Sequence, residues 1–284
     1  MIRFAAPADH PRLKALWAEV FGDAPADVEA FFTLRHKDES MLVDERNGTV
    51  AGMLTMLAFT LRTGGGEQLP ARYVYAVATT PEARGQGIAT GLMEAAHAHM
   101  ARLGVAASVL VPANGGLFAF YEKRGYETAF ALDEITLPAD ALPPFPRKGT
   151  SAPCAPEAYA RIRDAAFPTS ALYAMWDEPA VSYAMRTFAQ AGGVTEVAWE
   201  GGGGCAAWEK TEGGVLVREL ALTQGDPLSA LAVLHGQLRA VSYRVRLMRG
   251  TVPGAPERLF GMIRWLAPKP ELTGGAPYLS LALD

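Results

Sequence analysis

Apolar and polar positions along the chain fall into two successive runs of the same order. The first opens with a short strand over Ile2 to Ala5, followed by helical spacing over Pro11 to Phe21 and Pro25 to Lys37. Apolar alternation then predicts strands over Ser40 to Glu45, Thr49 to Arg62 and Arg72 to Ala78, with turns at Asn47-Gly48 and Gly64 to Gly66. Ile88, Leu92, Met93, Ala96, Met100 and Leu103 recur at helical spacing, which predicts an amphipathic helix from Gln86 to Leu103. A strand over Ala107 to Val111, a helix over Gly116 to Arg124 and a strand over Thr128 to Leu137 close the run.

The second run repeats the order with different residues. Helices are predicted over Glu157 to Phe167 and Pro179 to Ala191, then strands over Thr195 to Glu200, Cys205 to Lys210 and Val215 to Thr223. A helix over Pro227 to Ala240, a strand over Tyr243 to Met248, a helix over Pro256 to Leu266 and a strand over Tyr278 to Leu283 complete it. Between the runs lies a proline-rich, aperiodic segment from Pro138 to Pro156, which reads as a linker. The chain is therefore expected to hold a domain over residues 1–137, a linker over 138–156 and a second domain over 157–284, related by duplication.

Composition narrows the classes of function. With 284 residues, half of them hydrophobic and 20% charged, the chain is long enough for two cores and too apolar for disorder. Twenty-six basic against thirty acidic residues leave a net charge of −4, so neither nucleic acid nor an anionic membrane is an expected partner. The two cysteines, Cys154 and Cys205, lack metal-site spacing and make no disulfide framework, which suits a reducing compartment. MIRFAAPADHPRLK meets charges and prolines before any apolar core of a signal peptide, and the longest uncharged stretch, Leu103 to Tyr121, is broken by Pro112, Asn114, Gly115 and Gly116. A cytoplasmic protein is expected.

The chemistry concentrates in Tyr73 to Met100, YVYAVATTPEARGQGIATGLMEAAHAHM. An apolar strand runs into a Thr-Thr-Pro break, a glycine-rich turn and a long helix. Gly85 and Gly87 let the backbone turn tightly, and the amides from Gln86 to Thr90 then point out of the helix N-terminus with the positive end of its dipole behind them. Such a mouth binds anions, phosphate above all. The dipole supplies only about 0.3–1 kcal/mol, so amide hydrogen bonds and Arg84 must provide the rest. A Walker A loop fits poorly because its Gly-Lys-Ser/Thr ending is missing, and a dinucleotide fingerprint fits poorly because Thr90 stands where its third glycine belongs.

On these residues the sequence resembles the GNAT superfamily of acetyl-CoA-dependent N-acetyltransferases. The family's cofactor motif is Arg or Gln, two residues, Gly, one residue, then Gly or Ala, and Arg84, Gly87 and Ala89 occupy those places after Val77-Ala78-Thr79 and Pro81. A second family motif is matched by ASVLVPAN followed by GGLFAFYEKRGYE, with Asn114 ahead of Phe120, Tyr121, Gly125 and Tyr126. The duplicated order is similar to the tandem branch related to the enhanced-intracellular-survival acetyltransferases. The implied fold is α/β, two tandem GNAT-like domains, each a mixed, mostly antiparallel sheet flanked by helices, the second degenerate.

The resemblance implies roles by position. Backbone groups of Val77, Ala78 and Thr79 would hold the pantetheine arm of acetyl-CoA as an added strand. Arg84, Gly85, Gln86, Gly87, Ile88, Ala89 and Thr90 would hold the pyrophosphate, Asn114 would touch the cofactor, and Tyr121 would face the departing thiolate as general acid. The partners are acetyl-CoA and an amine acceptor, and no metal is implied. A non-catalytic acyl-CoA sensor is the alternative, keeping Arg84 to Ala89 and leaving Tyr121 idle.

Other candidates stay open. A base for the acceptor ammonium could be Glu39, Asp44, His36, Glu134 or Tyr75. His97 and His99, two apart on the long helix, are expected on the surface rather than at a shared metal. Tyr173, Trp176, Tyr183, Trp199 and Trp208 could line a cleft but suit a core better. The second run offers TQGDPLSALAV where the first has TTPEARGQGIA, lacking the arginine and the paired glycines.

Overall fold

In the computed structural model, which describes residues 1–167 and 170–281, the expected elements of the first run form with ends shifted by a few residues. The chain divides into two compact units, the first built from Met1–Leu61, Gln68–Glu127 and Met262–Pro270, the second from Arg62–Glu67, Thr128–Gly261 and the chain from Glu271 on.

In the first unit, β1 (Ile2–Phe4), α1 (His10–Phe21), α2 (Pro25–Leu34), β2 (Met41–Arg46), β3 (Thr49–Thr63), β4 (Gln68–Thr79), α3 (Ile88–Arg102), β5 (Ala107–Leu110) and α4 (Gly116–Glu122) follow one another. β1, β2 and β3 pair antiparallel, with Ile2 opposite Asp44 and Leu42 opposite Leu54. β4 and β5 are parallel, in register from Ala71 opposite Ala107 to Tyr73 opposite Val109. Beyond that point β5 stops at Leu110 while β4 continues to Thr79, so the outer part of β4, Val74 to Thr79, runs past the register it shares with β5. Within this outer part Ala76 has φ 51°, a left-handed conformation that breaks the pleat and re-aims the residues after it.

The core of this unit lies between α3 and the sheet. Ile88, Leu92, Met93, Ala96 and Met100 of α3 bury against Leu42, Leu54, Met56 and Val74. Gly52 is needed for this approach, because a Cβ there would stand 2.5 Å from Ile88 Cγ2 and 3.1 Å from Ala78 O.

In the second unit, β6 (Glu127–Pro138), β7 (Thr150–Pro153), α5 (Pro156–Ala166), β8 (Leu172–Met175), α6 (Glu178–Phe188), β9 (Gly192–Trp199), β10 (Gly202–Thr211), β11 (Gly214–Gln224), α7 (Pro227–Leu238) and β12 (Ser242–Met248) precede β13 (Glu257–Trp265). β12 pairs antiparallel with β6 and parallel with β11, which continues antiparallel to β10 and β9. α7 packs Ala230, Leu231, Val233 and Leu234 on Val217, Tyr243 and Val245. A charge pair is buried here: Arg163 Nε donates to Glu219 Oε1 at 2.7 Å, and the hydroxyls of Tyr159 and Tyr278 also donate to Glu219. Tyr173, Trp176, Tyr183 and Trp208 are buried and Trp199 partly so, which is the core alternative for that aromatic set.

Several expectations are corrected. The helix expected over Pro256 to Leu266 is the strand β13, whose end pairs antiparallel with β5, Met262 opposite Leu110 and Trp265 opposite Ala107. Phe260 to Ile263 are buried in succession, and a strand covered on both faces has the continuous apolar run of a buried helix. The strand expected over Tyr278 to Leu283 is an isolated bridge from Tyr278 to Tyr173, and residues 282–283 lie outside the described residues. The proline-rich segment contains β7, paired with β9 through Ser151 opposite Val197. β8, with only four residues, escaped the sequence pattern.

His97 is buried rather than on the surface. Arg264 Nη1 lies 3.0 Å from its Nδ1, its Nε2 lies 2.9 Å from Tyr126 Oη, and that hydroxyl lies 2.6 Å from Ser108 Oγ. Among the described residues no helix is long and apolar enough to cross a membrane.

Candidate active site

The glycine-rich turn has the geometry its sequence requires. After Pro81–Ala83, a single turn of 3-10 helix, Arg84 is extended, and Gly85 and Gly87 have φ of 77° and 79°. A Cβ on either would meet nothing within 4 Å, so it is the backbone angle and not lack of space that calls for glycine. Gly87 is the N-cap of α3 and has no side chain with which to cap it. Gly91 N closes the first turn on Gly87 O at 2.9 Å. The amides of Ile88, Ala89 and Thr90 precede that bond, in the part of a helix whose N–H groups have no intrahelical acceptor. Ile88 buries its side chain under the turn, while Ala89 and Thr90 stay half-buried and Gly85, Gln86 and Gly87 exposed. Gln86 Nε2 donates to Glu82 O at 3.2 Å.

A second cation stands at the same helix turn and was not singled out from the sequence. Arg124 donates through Nη2 to Thr90 Oγ1 and through Nη1 to Phe120 O, and its guanidinium sits 3.4 Å from the Phe120 ring centroid. Its Nε is buried and has no hydrogen-bond partner among the described residues. The only signal for it was its place three residues after Tyr121.

Val77, Ala78 and Thr79 end β4 beyond the left-handed Ala76 and beyond the pairing with β5. Thr80 N donates to Ala51 O at 2.9 Å, which holds the strand end against β3. Tyr121 lies on α4, 7% exposed, with its ring 5.1 Å from Phe120 and 5.8 Å from Tyr126. Burial pushes its phenol up to about 12, against the opposing charge of Arg124. Asn114 is exposed, and its Oδ1 accepts from Gly116 N at 3.0 Å at the start of α4.

The candidate bases are distributed differently. Asp44 is buried and paired with Arg46 and the N-terminal amine, and although burial opposes it, those partners hold its carboxyl below the usual range. Glu134 belongs to the second unit, where Arg246 and Arg258 lie within 3.2 and 3.6 Å. Glu39 is exposed. Tyr75 belongs to an aromatic group, edge-on to Trp17 at 5.5 Å and tilted against Phe31 at 5.7 Å. His36 is drawn into contact with His10 and Asp38.

The second unit has the same strand arrangement and a closed mouth. β11 and β12 are parallel from Val215 opposite Tyr243 to Val217 opposite Val245, and β11 then continues to Gln224. At the N-terminus of α7, however, the N-cap is Asp226, whose carboxylate accepts from Ser229 N at 2.9 Å. An anionic cap satisfies the helix amide and repels a phosphate from it.

Residues 1–129 match the family profile described as an acetyltransferase (GNAT) domain. No curated protein matches the chain. Among solved structures the chain is similar to a probable N-acyltransferase from Enterococcus faecalis V583, at TM-score 0.76 and 16% identity over 94% of this chain and 72% of that one. A GCN5-related N-acetyltransferase from Anabaena variabilis follows at TM-score 0.74, 18% identity, 94% and 72% coverage. Eis1 from Mycobacterium abscessus gives TM-score 0.71 and 15% identity, covering 94% of this chain and 74% of that one. At such identities the likeness is one of fold, and it extends over both halves of the chain.

Proposed function

We propose, from the match of residues 1–129 to the GNAT acetyltransferase domain profile, that the protein is an N-acetyltransferase moving an acetyl group from acetyl-CoA to the primary amine of a small molecule or peptide. The observation that carries the proposal is the N-terminus of α3, which no side chain caps, with left-handed Gly85 and Gly87 ahead of it, beside Val77, Ala78 and Thr79 of β4, which run past the register shared with β5.

In this reading the amides from Gln86 to Thr90, with Arg84, hold the pyrophosphate, and backbone groups of Val77, Ala78 and Thr79 pair with the pantetheine arm as a further strand would. One of those strand amides also faces the thioester oxygen, where a preorganised N–H stabilises the charge that develops as the amine attacks directly. Asn114 uses its Oδ1 on α4, so its amide N–H groups are the part that can reach the cofactor.

Tyr121 acts as hydrogen-bond donor to the emerging thiolate. With its phenol near 12 and a thiol near ~8.5, full proton transfer is uphill by about 3.5 units, roughly 5 kcal/mol. Donation without transfer is the cheaper path, and a phenol raised by burial remains protonated to donate. The second unit is read as a copy that has lost cofactor binding, a reading supported by Asp226 at the mouth of α7.

The test is release of free CoA from acetyl-CoA, followed with a thiol dye across an amine panel, alongside calorimetry with CoA. Binding together with amine-stimulated release supports the enzyme. Binding with no release for any amine favours the sensor, and no heat with CoA removes both readings.

A further inference from the structure

Three side chains of the first unit that are not among the residues assigned to acyl-CoA converge at the junction of α1 and α2. His10 opens α1, and His36 follows the last turn of α2, where its amide donates to Phe31 O at 3.0 Å. Asp38 begins the 3-10 turn Asp38–Ser40. His10 Nε2 lies 2.7 Å and His36 Nε2 2.8 Å from the same oxygen, Asp38 Oδ1, and the two nitrogens are 3.3 Å apart. We propose that His10, His36 and Asp38 form a binding site for a divalent transition-metal cation, Zn²⁺ being the reference ion.

The spacing supports this. Two nitrogens at about 2.05 Å from a tetrahedral zinc stand about 3.3 Å from one another, and cis ligands of a six-coordinate ion about 3.0 Å. The imidazole pair therefore already has the ligand-to-ligand distance of a metal site. The carboxylate oxygen, at 2.7 and 2.8 Å from the two nitrogens, is about half an ångström inside the tetrahedral spacing, as a hydrogen-bond acceptor is, and Asp38, 29% exposed at its side chain, has room to draw back.

The chemistry of the donor set chooses the ion. Two imidazoles with one carboxylate are borderline nitrogen and hard oxygen donors, suited to Zn²⁺, Co²⁺, Ni²⁺ or Fe²⁺ and poor for Mg²⁺ or Ca²⁺, which want oxygen alone. Three protein ligands leave at least one position for water or an incoming ligand, as in open rather than purely structural sites. The half-exposed His10 and Asp38 leave that position accessible, while the His36 side chain is almost fully covered.

The surroundings hold the ligands ready. The Phe32 ring packs at 4.7 Å on His36 and 5.7 Å on His10, which limits ring rotation. His36 Nδ1 is buried without a hydrogen-bond partner among the described residues, and it is Nε2 that faces His10 and Asp38. Coordination would commit the His36 lone pair and remove it from the candidate bases.

The site is tested on the full chain without a polyhistidine tag, stripped with chelator, desalted and titrated with Zn²⁺ and separately with Co²⁺. Expected are one equivalent bound, visible Co²⁺ bands of a low-coordinate nitrogen and oxygen site, and affinity lower by roughly tenfold or more in both His10→Ala and Asp38→Ala. His10 is partly exposed, and circular dichroism with CoA binding verifies that these variants fold. Wild-type protein that binds no Zn²⁺ at micromolar concentration overturns the proposal. So does equal affinity in the folded variants, or a thiolate charge-transfer band that places Co²⁺ on cysteine.

Discussion

Arg264 Nη1 stands 3.0 Å from His97 Nδ1, 167 residues away along the chain. A guanidinium only donates, so Nδ1 must accept, and Nε2–H donates in turn to Tyr126 Oη. Neutral imidazole fills both roles, and a protonated ring would set two cations against each other.

Acid sensitivity follows from this contact. Burial, reinforced by the Arg264 charge, lowers His97 to about 4. The unfolded chain takes up that proton below about pH 6.5 and the folded chain resists until about 4, so stability is full above the window and falls as pH drops through it. Between pH 7 and pH 5 the loss from this residue is about 2 kcal/mol. Urea midpoints at the two pH values should show it in the wild type and show less of it in His97→Gln, which cannot titrate. Equal losses in both proteins would show that His97 does not cause the sensitivity.

Gly87→Ala separates strain from ligand binding. At φ 79° an alanine costs about 1–2 kcal/mol of stability. Gly104, at φ 69° and likewise open to a Cβ, sets the same backbone penalty at the other end of α3. Both variants should lose similar stability in denaturation, and only Gly87→Ala should also weaken CoA in calorimetry, by about tenfold as a methyl group enters the phosphate mouth.

Tyr121→Phe keeps the packed ring and deletes the donor. Turnover is expected to fall by about 10²–10⁴ with the KM for acetyl-CoA nearly unchanged, because the lost interaction forms only as sulfur gains charge. Steady-state kinetics with any accepted amine decide the matter, and unaltered kcat removes Tyr121 from the chemistry.

Glu219→Ala leaves the Arg163 guanidinium buried, with two tyrosine hydroxyls deprived of their acceptor. A loss of about 3–5 kcal/mol is expected in chemical denaturation. The double variant Arg163→Met with Glu219→Met should recover much of it, since replacing a whole buried pair with apolar volume is far less costly than halving it.

Local order in the amino acids determined most of the elements and the mouth of the candidate site. The spacing of Ile88, Leu92, Met93, Ala96 and Met100 sets the face of α3 that buries, and Gly85 and Gly87 stand where φ is positive. Both depend on neighbours within a turn or two, which is why they are legible one residue at a time. Tertiary structure decided what distant segments do to one another. Pairing with β5 makes a strand of Glu257–Trp265, and Arg264 gives His97 a reason to be buried. Folding sets Cys154 Sγ 3.2 Å from Cys205 Sγ and His10 beside His36 and Asp38, contacts for which spacing along the chain carries no signal. Periodicity reports which face of an element is covered; only the packed chain names the side chain that covers it.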